Sequence, residues 1–94
     1  MYIRVKPSVY ECIQYTKDTD IGKLMRWSHE QVHMEYIFMD NQILVIETPN
    51  GPERVNTGDY IAKRDDGTCF AIDPMTFKLN YEITSEESVK HESN

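Results

Sequence analysis

The sequence predicts a small α+β domain: an antiparallel sheet of five or six short strands, one packed helix and a short C-terminal helical turn. Three observations predict it. Short strand-like runs recur at Val9–Thr16, where the residues alternate between two faces, and at Leu44–Thr48, Asp59–Arg64 and Cys69–Ile72. Gly or Asp-Gly turns separate the later runs, at Gly51, Gly58 and Asp66-Gly67. One segment, from Ile21 on, carries a helical spacing instead, with Ile21, Leu24, Met25 and Ser28 on one face and Trp27 beside it.

The elements follow in order. Tyr2–Val5 and Val9–Thr16 read as extended pieces split by Pro7. In the second, Tyr10, Cys12, Gln14 and Thr16 alternate with Val9, Glu11, Ile13 and Tyr15, so neither face is purely apolar. Thr19 or Asp20 can cap the first turn of a helix expected over Ile21–His33. Met34–Met39 and Gln42–Thr48 flank the polar pair Asp40-Asn41 and read as a hairpin. Pro49-Asn50-Gly51-Pro52 is a second turn, leading to a strand at Glu53–Asn56. Thr57-Gly58 turns the chain into Asp59–Arg64, with Gly58 at the corner and Asp59 capping nearby amides. Asp66-Gly67 then makes a hairpin to Cys69–Ile72. Asp73-Pro74 starts a short helix ending at Phe77 or Leu79. Asn80–Thr84 is a last strand, and Ser85–Asn94 reads as a disordered acidic tail. The expectation is one domain over residues 1–84.

Composition bounds the function. The 94 residues carry a formal charge of −6, about a third of it in the last ten residues. Nucleic-acid binding through a basic patch is therefore not expected. The acidity reads as solubility or, in the sharper alternative, as mimicry of DNA phosphates. No run is long enough for a membrane span or a signal peptide, so the expected compartment is the cytoplasm, with no membrane partner. A thin core suggests help from self-association or a partner. Cys12 and Cys69 form no Cys-x-x-Cys pair; each fits a buried thiol, and a cross-strand disulfide between them stays open.

The candidate sites are few. His29-Glu30-Gln31-Val32-His33 satisfies the letters of a zincin helix, in which both imidazoles share one face. A third ligand is lacking nearby, since the remaining histidine is His91 in the tail, so no metal or cofactor is expected. Tyr60, Phe70, Phe77 and Tyr81 form an aromatic set that either packs the core or stacks on a nucleobase. Arg54, Lys63 and Arg64 could meet phosphates beside Tyr60, or be exposed strand charges. Trp27, Tyr36 and Phe38, with Met25 and Met34, divide between core and an interface anchor. Asp65-Asp66 lacks calcium-loop spacing and reads as a turn.

Two segments carry a resemblance. They are Glu11-Cys12-Ile13-Gln14-Tyr15-Thr16, and Val55-Asn56-Thr57-Gly58-Asp59-Tyr60-Ile61 followed by Phe70, Pro74, Phe77, Tyr81 and Glu82. Together they resemble a widespread family of small, mostly uncharacterised phage and prophage proteins, over about two thirds of the chain. The Asp65-Asp66-Gly67 turn is more acidic than that pattern, and Trp27–Phe38 matches none of it. The resemblance implies a phage gene and a small mixed fold, and no settled activity. The expectation is a non-enzymatic phage accessory protein in the host cytoplasm. It would bind and block a host protein, or sequester a nucleotide-type signal of antiviral defence. The alternatives are a minor virion or assembly protein and a small zinc-dependent hydrolase.

Overall fold

The computed structural model describes residues 1–5 and 8–84. The expected break at Pro7 and the expected tail 85–94 lie outside the described residues. The fold is α+β, as the sequence predicts, but its strands divide between two antiparallel sheets rather than one. The larger sheet has the order β7-β6-β2-β1-β8, built from Tyr2–Val5 (β1), Ser8–Gln14 (β2), Tyr60–Lys63 (β6), Cys69–Ile72 (β7) and Glu82–Thr84 (β8). The smaller sheet is a meander of Val32–Tyr36 (β3), Gln42–Thr48 (β4) and Gly51–Val55 (β5).

The smaller sheet and helix α1 (Ile21–Trp27) are an insertion between two paired strands. β2 and β6 pair from Glu11↔Lys63 to Gln14↔Tyr60. The chain between them leaves and returns at a corner closed by Tyr15 N–H to Asp59 O (2.8 Å) and Gly58 N–H to Tyr15 O (2.7 Å). Gly58 takes φ +100° there, which a side chain rarely adopts. The Asp59 carboxylate accepts from Asn56 N–H at 2.9 Å, the amide-capping role the sequence suggests.

Both faces of the larger sheet are covered, which explains why β2 has no clean polar face. On one face Ile13, Ile61, Cys69 and Ala71 meet Leu24 of α1 and Val32, Leu44, Ile46 and Val55 of the smaller sheet. On the other, Ile3, Cys12, Ala62 and Ile72 meet Phe77 of helix α2 (Pro74–Asn80). Strand alternation makes Cys12 and Cys69 members of opposite faces: Cys12 pairs with Ala62, and Cys69 with its neighbour Lys63. The disulfide left open by the sequence is therefore excluded, and both thiols are free and buried. Burial pushes the Cys12 thiol up to about 12, against a smaller opposing pull from the N-terminal ammonium.

Helix α1 ends at Trp27, six residues before the expected His33. Ser28 N–H bonds to Leu24 O, His29 N–H to Arg26 O (3.1 Å) and Glu30 N–H to Met25 O (2.8 Å). The last two bonds make a Schellman stop, with His29 (φ +54°) where Gly is usual and Glu30 also at positive φ. Buried Ser28 secures the exit by donating to Met25 O and accepting from Val32 N–H. Gln31 then ties the insertion to the larger sheet. Its amide donates to Gly67 O (2.7 Å) and accepts from Cys69 N–H (2.8 Å), as a strand residue would.

Other boundaries move less. β3 begins at Val32, two residues before the expected start, and the β3–β4 connection is five residues rather than two. Pro49-Asn50 is a two-residue turn, with Thr48 opposite Gly51. Pro52 is tolerated in β5 because β5 is an edge strand. Asp73 caps α2 by accepting from Thr76 N–H at 2.9 Å, as expected.

Candidate functional site

The end of β3 and the β3–β4 connection carry a contiguous run of exposed apolar side chains, including the two most exposed large hydrophobics among the described residues, Phe38 and Met39; Met75, Leu79 and Ile83 are exposed elsewhere. Tyr36 is 72% exposed, Phe38 82%, Met39 76% and Ile37 43%. The segment is not slack: Ile37 N–H bonds to Asn41 O at 2.7 Å, and the Asn41 amide donates to Phe38 O at 3.1 Å. Met39 is held at φ 64°, ψ 44°, a left-handed conformation costing a non-glycine residue about 1–2 kcal/mol. A strained residue at an ordered, exposed, apolar tip is a familiar mark of a binding element. Tyr36 belongs to the inner register of β3, with Val32 and Met34, but extends past the core.

Trp27, grouped with Tyr36 and Phe38 by the sequence, sits apart from them. β3 intervenes, with a strand length of roughly 13 Å from Val32 to Tyr36. Trp27 packs against the inner core and donates from Nε1 to Glu11 Oε2 at 3.1 Å. Lys63 Nζ lies 4.5 Å from the indole centroid, donates to Trp27 O at 3.1 Å and is 3.9 Å from Glu11 Oε1. These contacts fix α1 to the larger sheet. An adjoining polar cleft of about 400 Å³ is lined by Tyr2, Val9, Glu11, His29, Lys63 and Arg64, among others. Glu11 and Lys63 already compensate each other there, so the cleft has no unanswered charge from that pair.

Of the residues proposed for a nucleotide, Lys63 and Arg64 both border that cleft, but Tyr60 and Arg54 do not. Tyr60 and Arg64 are on the α2 side of the larger sheet. Tyr60 is stacked on Phe77 at 3.6 Å and 6°, and the Arg64 guanidinium lies 4.1 Å from the Phe70 centroid. Lys63 is on the opposite face, by the alternation of β6. Arg54 is on β5, across from Val45, in the other sheet. Tyr81 and Phe77 continue the aromatic stack at 5.9 Å, and Tyr10 meets Phe70 edge-on at 5.4 Å. This set packs α2 onto its sheet.

The zincin letters do not form a zincin helix. His29 lies in the stop after α1 and His33 on β3. The imidazole of His33 instead faces Glu35 Oε1 at 3.1 Å and Glu47 Oε2 at 3.8 Å. His91 lies outside the described residues. No helix among the described residues is long and apolar enough to cross a membrane. Compared with family models, curated proteins and solved structures, the chain gives no match.

Proposed function

We propose that this chain is a phage-encoded accessory protein that binds and blocks a host protein, with the β3–β4 tip as its anchor. The observation that carries this reading is the tip itself. Tyr36, Ile37, Phe38 and Met39 are ordered by hydrogen bonds, exposed, and absent from both cores. Aromatic and Met side chains are enriched at protein–protein interfaces. Rigid presentation lowers the entropy lost on docking. The mechanism is occlusion: the tip inserts into an apolar groove of the partner and the acidic body covers what lies beside it. A component of antiviral defence is the target class that the phage resemblance suggests.

The sponge variant draws less support, because the stacking residue Tyr60 is engaged by Phe77 and Arg54 is in the other sheet, both away from the cleft that Lys63 and Arg64 border. The test is native mass spectrometry of tagged protein purified gently from host lysate. A stoichiometric host protein, lost in Phe38→Ala, is the expected result. A small mass released by heat, matching a nucleotide, would replace inhibition by sequestration. A bare chain that instead co-sediments with purified virions would replace both by a role in the particle.

A further inference from the structure

We propose that the outer face of the smaller sheet holds a divalent-cation site made by His33, Glu35 and Glu47. The proposal does not depend on the partner-binding reading, because none of the three belongs to the apolar tip.

The register builds the site. His33 pairs with Val45, Glu35 with Ile43, and Glu47 with Pro52. Alternation puts all three on the face opposite Val32, Leu44 and Ile46, which are core. Glu35 follows His33 by two residues on β3, and Glu47 is diagonal to His33 on β4. One donor atom from each lies within 4.8 Å of the others.

The spacing suits an ion. A tetrahedral zinc with bonds of about 2.1 Å sets its donors about 3.4 Å apart. The His33 Nε2 separations of 3.1 Å from Glu35 and 3.8 Å from Glu47 bracket that value. The carboxylate oxygens of Glu35 and Glu47 lie within 4.8 Å of each other, so binding an ion draws the two carboxylates toward it. The imidazole is only 28% exposed, so its position is already restricted. Strands hold the ligands more rigidly than loops do.

Charge and donor type name the cation. Two carboxylates converge on one imidazole, so acidic donors outnumber the basic one at the centre. The cationic side chain on the same face is Arg54, across from Val45 on β5. A nitrogen donor with two oxygens suits zinc or manganese, whereas magnesium and calcium prefer oxygen alone. The remaining coordination positions face solvent and would hold water. The histidine that the zincin letters point to is therefore used, but with carboxylates from the sheet instead of His29.

The test is calorimetric titration of Zn²⁺, and separately Mn²⁺, into the full chain with excess Mg²⁺ in the buffer. The expected result is one saturable equivalent, weakened at least about tenfold by His33→Ala and by Glu47→Gln. It is unchanged in a His29→Ala/His91→Ala double variant. Zn²⁺ should also raise the melting temperature of wild type and of the double variant, but not of the two site variants. All three ligands are at the surface, and metal-free melting checks that the variants fold. No saturable uptake by wild type, or uptake lost in the double variant and kept in His33→Ala, would overturn the site.

Discussion

Two apolar triplets in one hairpin have opposite fates. Leu44, Val45 and Ile46 are at most 3% exposed, whereas Ile37, Phe38 and Met39 are 43% to 82% exposed. Hydrophobicity does not separate them; what faces them does. The first triplet lies in the central strand of the smaller sheet, and its inward members meet α1 and the larger sheet. The second extends past both. Burial of the first stabilises the insertion, and the second leaves apolar surface for another molecule. A substitution can therefore separate folding from binding.

The largest expected contrast is between Ile46→Ala and Phe38→Ala. The first leaves a cavity in the inner core and should cost about 2–5 kcal/mol by urea unfolding. The second should stay within about 0.5 kcal/mol. A comparable loss in Phe38→Ala would mean that the tip packs on the fold.

Next is the tie between insertion and frame. Gln31→Ala leaves Cys69 N–H and Gly67 O without their amide partner and should cost about 1–3 kcal/mol. Gln31→Glu keeps the acceptor and loses the donor, so it should recover only part. An unchanged unfolding midpoint in both variants would show that core packing alone holds the two sheets together.

A smaller effect concerns pH. The folded Cys12 thiol is raised to about 12, well above an ordinary thiol. Its contribution is complete below the unfolded value and is lost as pH rises from about 9 towards the folded value. Stability should fall through that range, less so in Cys12→Ala. Cys12 should also resist thiol reagents at pH 8 until the protein unfolds.

The smallest is the cap of α2. Hydrogen bonds from Thr76 N–H and its hydroxyl hold the Asp73 carboxyl below the usual range. That contribution is present above the ordinary carboxylate value and lost as pH falls through the folded one. Asp73→Ala should melt slightly below wild type at neutral pH, and the gap should close below about pH 4.

What the sequence made legible was local. Asp73-Pro74, Asp66-Gly67 and Gly58-Asp59 announce a cap, a hairpin and a corner, and the structure has each. The α1 stop was hidden because His29, not Gly, takes the left-handed position. That error carried the zincin letters onto a helix that does not reach them. The partition into two sheets was hidden because β2 pairs with β6 across the whole insertion, and no short-range signal encodes that pairing. Of the interface candidates, Tyr36 and Phe38 share the exposed tip, while Trp27 is engaged by Glu11 and Lys63. Exposure of an aromatic depends on what reaches it, which the sequence does not state. His33 was singled out, but its carboxylate neighbours follow from strand register.

The most direct test of the account compares wild type with a Tyr36→Ser/Phe38→Ser/Met39→Ser variant, measuring melting temperature and retained host protein on the same preparations. The account predicts an unchanged melting temperature and loss of the bound protein. A variant that keeps its partner in full, or that melts far below wild type, would contradict it.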